Sequence, residues 1–386
     1  MTYTFAICLI IVAQVGLAAI AIPVFRSVWK GDSFLRRLAQ NMLLAFFALL
    51  FTLTVVEVAC KLLFVQSDGI NFTLASRSWF ERYWQPINSL GYRDYEWTPE
   101  KVGNRKRIVV VGDSFVAGGG VEKIEDRFSN QLGEKLGDDY VVMTVARNGW
   151  NTRQEIEGVL AYPYQPDIVI FSYYINDIEG VAGRMGISRP PGLLIYPPDW
   201  LRPLVDNSYA LNFAYWRLFR WHAFADPNQR TDIQTYQNHL RALYKDPEVW
   251  AAHQEELQEV CNLTQTQQLQ LVVVVFPDML KLEETRDLSG RVVDFFQTRG
   301  VAIVDVAAVI DAEQPKRLIA NSVDTHPSVE VHTLVADALY AVITEEPTSL
   351  PTEKQGSGLV RASLQPLSGK GADTPRNASH ERVYVP

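Results

Sequence analysis

Cysteine is scarce in this chain, with only three among 386 residues, at positions 8, 60 and 261. They provide neither a disulfide framework nor a cysteine metal site. There is also no His-Glu-x-x-His zinc motif, and the glycines at 118–120 are not followed by the Lys-Ser/Thr of a phosphate-binding loop. The sequence therefore predicts no metal and no cofactor.

A basic surface is lacking as well, because the formal net charge is −8 at pH 7. Nucleic-acid binding proteins need clustered positive charge to displace counterions from phosphates, so this class is excluded. Hydrophobic residues make up 47% of the chain, which is ample for a core. We expect one large globular unit with appendages.

Two long apolar runs occupy residues 1–65, at about 3–25 and 42–64, and each is long enough to cross roughly 30 Å of hydrocarbon as a helix. The loop between them carries four basic residues against one acidic residue: Arg26, Lys30, Arg36 and Arg37 against Asp32. This bias predicts a two-span anchor with a cytoplasmic loop, so that the large domain lies outside the cytoplasm. A cleaved signal peptide is the alternative for the first run, although no basic residue precedes it.

Short apolar runs alternate with helical patterns further along, at 107–111, 140–145, 167–174, 269–276 and 301–306. This alternation predicts an α/β fold with a five-stranded parallel sheet covered by helices on both faces. Thr152 is followed three residues later by Glu155, which predicts a capping box at a helix start.

The remaining segments are a connection at 66–106, the α/β domain at 107–345 and a tail at 346–386, whose composition predicts disorder. An insertion at about 178–247 is rich in proline and aromatic residues: Tyr196, Trp200, Tyr209, Trp216 and Trp221. It is interpreted either as a lid or sugar-stacking platform, or as material packed onto the sheet.

A serine and a histidine both follow strands. The first strand delivers Ser114 to the carboxyl edge of the sheet, where ligands bind in open α/β folds. A serine hydroxyl needs a base to become a nucleophile, and His326 is the histidine that follows a strand in a loop. Pro327 favours extended backbone at His326, which lets Asp324 face the same side and orient the imidazole. The sequence predicts a Ser114–His326–Asp324 triad.

Donors for an oxyanion follow two further strands. Gly149 lets a backbone N–H approach a ligand closely, and Asn176 offers a side-chain amide. With the N–H of Ser114 they would form an oxyanion hole. Asp113 is expected to organise the turn, and a lipase-type elbow is excluded because Val116 replaces its second glycine.

Together these blocks resemble the SGNH (GDSL) hydrolase family: "VVVGDSF", "RNGWNT", "YIND" and "VDTHPS" occur in the family's order. The resemblance implies a flavodoxin-like three-layer α/β/α domain with strand order 2-1-3-4-5. It also implies roles for five residues: Ser114 as nucleophile, His326 as base, Asp324 as acid, and Gly149 and Asn176 as oxyanion donors. Two departures from the family pattern are Tyr174 at a glycine position and an acid two, not three, residues before the histidine.

These features predict a membrane-anchored serine esterase at the periplasmic or extracellular face of a bacterial inner membrane. It would remove acyl groups, O-acetyl groups in the first place, from a glycan or other ester through a Ser114 acyl-enzyme. An O-acyltransferase with the same triad is one alternative, and a non-catalytic glycan-binding or assembly module is another. The expected partners are the substrate and the membrane, with no nucleic acid.

Overall fold

The structure is a computed structural model that describes residues 3–28, 34–69, 71–190, 197–225 and 231–345. The predicted tail at 346–386 lies outside the described residues, as does Tyr196 of the insertion.

The central sheet has five parallel strands: β1 (Lys106–Gly112), β2 (Tyr140–Ala146), β3 (Ile168–Tyr174), β4 (Gln270–Phe276) and β5 (Ala302–Asp305). Their order is β2-β1-β3-β4-β5, which confirms the predicted fold class and strand order. A small antiparallel pair, β6 (Ile319–Asn321) and β7 (Asp324–Pro327), was not predicted. Strand β7 carries the candidate acid and base.

Two long helices, α1 (Tyr3–Val28) and α2 (Phe34–Leu63), contain the apolar runs. Helix α2 begins at Phe34, before the predicted residue 42, because arginine is a good helix former although it interrupts an apolar run. Both helices are long and apolar enough to cross a membrane, a test that a signal sequence near an N-terminus also passes. They pack together, and Gln14 Nε2 donates a hydrogen bond to Thr54 Oγ1 at 2.8 Å.

The helices that follow are α3 (Leu74–Tyr83), α4 (Pro99–Val102), α5 (Ser114–Ala117), α6 (Phe128–Leu136), α7 (Thr152–Ala161), α8 (Ile178–Arg184), α9 (Arg202–Val205), α10 (Tyr209–Ala225), α11 (Thr231–Lys245), α12 (Pro247–Thr266), α13 (Leu282–Gln297), α14 (Val306–Glu313) and α15 (Val329–Thr344). Short 3₁₀ turns lie at Ile124–Asp126 and Gly137–Asp139.

Apolar side chains on both faces of the sheet build two core layers. Along β1, Val109 and Val111 face one layer, whereas Ile108 and Val110 face the other. Helices α7, α8, α11, α12 and α13 cover the first face, and α5, α6, α14 and α15 cover the second. The loops that follow the strands are thereby held at one edge.

The described part of the insertion is largely helical, and α10 packs against α2. Trp216 contacts Phe72 with ring centroids 4.6 Å apart, and Lys61 lies over the Tyr209 ring. Trp200 is exposed, and the side chain of Trp221 lies outside the described residues. Tyr209 therefore packs against α2 and Trp216 against the connecting segment, locations that neither interpretation of the insertion specified.

Glu57, near the end of α2, accepts hydrogen bonds at the start of α10. Its carboxylate oxygens accept from the backbone N–H of Tyr209 at 2.7 Å, that of Ala210 at 2.9 Å and the Ser208 hydroxyl at 2.7 Å. A carboxylate is favourable there because the first N–H groups of a helix lack partners and carry partial positive charge. The acidic residue in the second apolar run therefore anchors the insertion to α2.

The predicted capping box at Thr152 and Glu155 is wrong by one residue. Asn151 caps α7, and its backbone N–H donates to Gln154 Oε1 at 3.2 Å. Glu155 instead lies buried near two other carboxyl groups, Asp113 and Asp177, and neither of its carboxyl oxygens has a hydrogen-bond partner among the described residues. Burial, followed by the charges of Asp177 and Asp113, raises the pKa of Glu155 well above its usual 4.5.

This burial predicts a stability that falls as pH rises. The folded state holds Glu155 neutral while the unfolded chain ionises above pH 4.5, so the stabilisation is lost as pH rises through the folded pKa. Glu155→Gln cannot ionise, so its unfolding free energy, measured by urea titration between pH 5 and 8, should fall less steeply, by about 1.4 kcal/mol per pH unit.

The matched control is Glu157→Gln, on the same helix with an exposed side chain. It should keep the wild-type slope. Equal slopes for Glu155→Gln and wild type would show that Glu155 is ionised in the folded protein.

Candidate active site

Ser114 is the first residue of α5, immediately after β1. Asp113 caps this short helix, and its Oδ1 accepts a hydrogen bond from the Phe115 N–H at 2.8 Å. Arg93 of the connecting segment is buried and donates to the carbonyl oxygens of Gly118 and Val121, each at 2.8 Å. The position of Ser114 is therefore fixed from both ends of α5.

Ser114, His326 and Asp324 form a hydrogen-bonded series. His326 Nε2 lies 2.7 Å from Ser114 Oγ, and His326 Nδ1 lies 2.6 Å from Asp324 Oδ1. The same Asp324 oxygen accepts from the His326 backbone N–H at 3.1 Å. Such an arrangement can pass a proton from the serine to the imidazole while the carboxylate stabilises the resulting imidazolium.

The electrostatics of the pair suit a base. Burial alone would lower the pKa of His326, but the hydrogen bond and charge of Asp324, with the charge of Asp113, raise it above 6.5. Burial would raise the pKa of Asp324, yet hydrogen bonds from His326 and Ser67 and the charge of His326 bring it below its usual 3.8. The imidazole therefore favours its protonated form more than a free histidine does, which assists proton uptake.

Glycines let strand β7 approach Ser114 closely. A Cβ on Gly119 would lie 2.7–2.8 Å from the His326 ring, and one on Gly120 would lie 2.8 Å from Asp324 Oδ2. Gly118 has a φ of +79° and packs against Arg127. Gly119 and Gly120 therefore form the surface against which His326 and Asp324 pack, whereas Gly118 packs against Arg127.

Other histidines have different surroundings. His332 is buried, and its Nδ1 accepts from the Phe128 N–H at 3.2 Å. Burial lowers the pKa of His332 to about 3, so it stays neutral. His253 is buried beside Tyr173, with 2.9 Å between Nε2 and the phenol oxygen. Among the described side chains, His326 is the imidazole that meets Ser114.

The two further donor candidates line one cavity of about 310 Å³. Gly149 has a φ of +76°, a conformation that favours glycine, and a Cβ there would meet no neighbour. The Oδ1 atom of Asn176 is buried without a hydrogen-bond partner among the described residues, so it does not tie the amide to the rest of the protein. The structure brings Gly149 and Asn176 together at this cavity.

The insertion contributes charged groups to the same cavity. Glu179 of α8 accepts from Arg189 Nε at 2.7 Å and from the Tyr236 hydroxyl at 2.8 Å. His239 of α11 lies 3.6 Å from the Glu179 carboxylate. These groups make part of the cavity wall polar, and the hydrogen bond from Tyr236 to Glu179 joins α11 to α8.

Sequence reasoning missed two residues that contact this site, Ser67 and Arg93. Both belong to the connecting segment, which was treated only as an approach to β1. Arginine and aspartate in "GYRDYEW" were visible, but nothing local indicated that Arg93 and Asp94 would be buried.

Comparison with known proteins identifies the family of this chain. The family model of the GDSL-like lipase/acylhydrolase family matches residues 110–334, more than half of the chain. The chain belongs to this family. No curated protein matches it at a significant level.

The solved structures to which this chain is similar include three proteins of 10–13% identity. They are a lipolytic G-D-S-L family protein from Veillonella parvula (10% identity, 62% of this chain, 98% of that chain, TM-score 0.36), an esterase from Pseudoalteromonas sp. (13%, 62%, 96%, 0.35) and a carbohydrate acetylesterase family member from Sinorhizobium meliloti (13%, 62%, 97%, 0.33). At these identities and TM-scores the likenesses indicate no substrate.

Tyr174, which departs from the GDSL family pattern, has a clear location. Its ring stacks on Phe115 with centroids 4.1 Å apart, and Phe115 lies 5.2 Å from the His326 ring. The bulky residue at the usual glycine position thus packs beside the residue that follows Ser114.

Gly119→Ala should separate His326 from Ser114, because the added methyl overlaps the His326 ring. A displacement of about 1 Å can cost roughly 100-fold in rate, so labelling of Ser114 by a fluorophosphonate, followed by mass spectrometry, should slow by about that factor. Gly290→Ala on α13, where a Cβ meets nothing, is the control and should label at the wild-type rate. Unimpaired labelling of Gly119→Ala would contradict the close packing described here.

Proposed function

We propose that this GDSL family hydrolase is a membrane-anchored serine esterase. It removes acyl groups, O-acetyl in the first place, from a glycan or another ester on the extracytoplasmic side. The observation that carries the proposal is the series of short contacts from Asp324 through His326 to Ser114.

The proposed reaction begins with attack by Ser114 Oγ on the ester carbonyl as His326 Nε2 accepts its proton. The backbone N–H groups of Ser114 and Gly149 and the amide of Asn176 donate to the oxyanion. His326 then returns the proton to the leaving alcohol, which yields an acyl-enzyme. Water deprotonated by the same imidazole hydrolyses that ester, and Ser114 is restored.

A polyhydroxylated leaving group suits the cavity beside the oxyanion donors. The polar residues that line this cavity include Asn151, Glu179 and Arg189. Their amide, carboxylate and guanidinium groups can form hydrogen bonds with hydroxyl groups of a substrate. Trp150 adds an indole side chain to the same wall, and aromatic faces pack on sugar rings. This combination supports a glycan ester over a purely aliphatic one.

Membrane anchoring is supported by two observations. Helices α1 and α2 expose many large apolar side chains, which in water would form an unusually large apolar patch: Leu9, Val12, Val15, Ile20, Phe46, Leu49 and Phe51. The hydrogen bonds from α10 to Glu57 place protein against the last turns of α2. With the basic loop on the cytoplasmic side, the hydrolase domain lies on the opposite side.

An O-acyltransferase is the second candidate. The observation that favours it is that α8 and α11 of the insertion wall the cavity next to Gly149 and Asn176. A wall there can hold an acceptor hydroxyl at a high effective concentration relative to water.

Hydrolysis of a small acetyl ester by the full chain in detergent tests the proposal. The wild type should release a burst of alcohol equal to the enzyme present and then turn over. Ser114→Ala and His326→Ala should each remove nearly all turnover, and the double variant should be little slower than either, because these groups act as one unit.

Two results would change the proposal. Substantial turnover by Ser114→Ala would rule out the serine mechanism. Acylated oligosaccharide as the main product, when an acceptor sugar is added, would replace the esterase with the transferase.

A further inference from the structure

The short segment that follows α2, residues 66–69, lies against the β6–β7 pair, whose strand β7 carries the candidate acid and base. Gln66 Nε2 donates to Asn321 Oδ1 at 2.8 Å, and Asn321 Nδ2 donates to the Ser67 carbonyl oxygen at 3.1 Å. Asn321 Oδ1 also accepts from the Asp324 N–H at 3.1 Å. The side-chain amide of Asn321 therefore joins the segment to β7, with its oxygen accepting from both and its nitrogen donating to Ser67.

Ser67 makes the most direct contact. Its hydroxyl donates a hydrogen bond to Asp324 Oδ2, the carboxylate oxygen that His326 does not use. Both residues are buried, with Ser67 1% and Asp324 0% exposed. The two oxygens of Asp324 thus have separate donors, and water does not reach the carboxylate to replace either one.

Gly69 closes the same contact. It has a φ of +80°, and a Cβ there would lie 2.9 Å from Asp324 Oδ1 and 3.1 Å from His326 Nδ1. The backbone after Ser67 therefore covers the Asp324–His326 hydrogen bond from one side. This approach requires glycine both for its conformation and for its lack of a side chain.

We propose that Ser67 is a positioning residue for the reaction, holding the Asp324 carboxylate in the orientation that aligns His326 with Ser114. The inference rests on the proposed function, since it assigns Ser67 a role through Asp324. The series then has four members, Ser67–Asp324–His326–Ser114. Ser67, the first member of this series, lies four residues after the end of the apolar helix α2 at Leu63.

The physical reason is the number of orientations open to a carboxylate. A carboxylate held only through one oxygen can rotate about its Cβ–Cγ bond, whereas donors on both oxygens fix its plane. The lone pair that His326 Nδ1–H meets is then aligned before the substrate arrives. A hydrogen bond to a charged group is also stronger than one between neutral groups.

A double-mutant cycle in the full chain tests the inference, with the rate of fluorophosphonate labelling of Ser114 as the readout. This probe needs no knowledge of the natural substrate. Ser67→Ala should slow labelling roughly 10- to 100-fold, the range for loss of a hydrogen bond to a charged group. Ser289→Ala is the control, because Ser289 is equally buried and its hydroxyl donates to the Arg286 carbonyl oxygen, far along the chain from the site.

The decisive comparison is the effect of Ser67→Ala on the labelling rate of a protein that already carries Asp324→Ala, in which Ser67 has lost its acceptor. There Ser67→Ala should change the remaining rate by less than about twofold, because residues that act through one another are not additive. A purely structural role would produce the same loss in both backgrounds.

The outcomes separate the two proposals. If the wild type labels at Ser114 and Ser67→Ala labels at the same rate, the role of Ser67 is overturned and the proposed function stands. A loss that persists fully in the Asp324→Ala background also overturns it, including the case in which Ser67→Ala misfolds. A wild type that does not label at Ser114 overturns the serine mechanism and the role of Ser67 together.

Discussion

The Asp324 carboxylate is buried, and an ionised carboxylate removed from water is costly unless each oxygen has a donor. The chain supplies these donors from His326 and Ser67, while Asn321 holds the backbone of the acid. The glycines at 69, 119 and 120 follow from the same constraint, because side chains there would occupy the space that Asp324 and the His326 imidazole need. Most of the local geometry around Ser114 is a consequence of accommodating one charge.

The connecting segment, residues 66–106, supports three of the loops at this edge of the sheet. Ser67 donates a hydrogen bond to Asp324 of β7, and Arg93 donates to two carbonyl oxygens of the residues after α5. The Leu90 carbonyl oxygen accepts from Arg147 Nη2 at 3.0 Å, which ties the segment to the loop that contains Gly149. Arg93 itself is buried over the Trp84 ring, with its pKa lowered to about 9 by burial and by the charge of Arg127. The segment that precedes β1 therefore holds the loops of the candidate site in place.

The five strands of the central sheet and Ser114 could be predicted because their signals are local: each of these strands is a continuous apolar run, and Ser114 directly follows one. His326 could be found from the extended backbone that Pro327 favours, but it lies on the short strand β7 and not in the loop after a strand that the sequence predicts. The contact between Ser67 and Asp324 joins residues 257 positions apart, so no window of sequence contains it. The need for glycine at position 119 likewise exists only because the His326 ring packs there. At α7 the local signal misled, since Asn151 with Gln154 caps the helix and leaves Glu155 to be buried.

The central claim is that the buried Asp324 carboxylate sets the proton affinity of His326. The most direct measurement is the pH titration of the His326 Cε1–H resonance in the full chain labelled with ¹³C-histidine, assigned by its absence in His326→Gln. The wild-type midpoint should lie above 6.5, and Asp324→Asn should lower it, because burial then acts with much less opposing charge. A wild-type midpoint at or below 6.5, or one that Asp324→Asn leaves in place, would contradict the account.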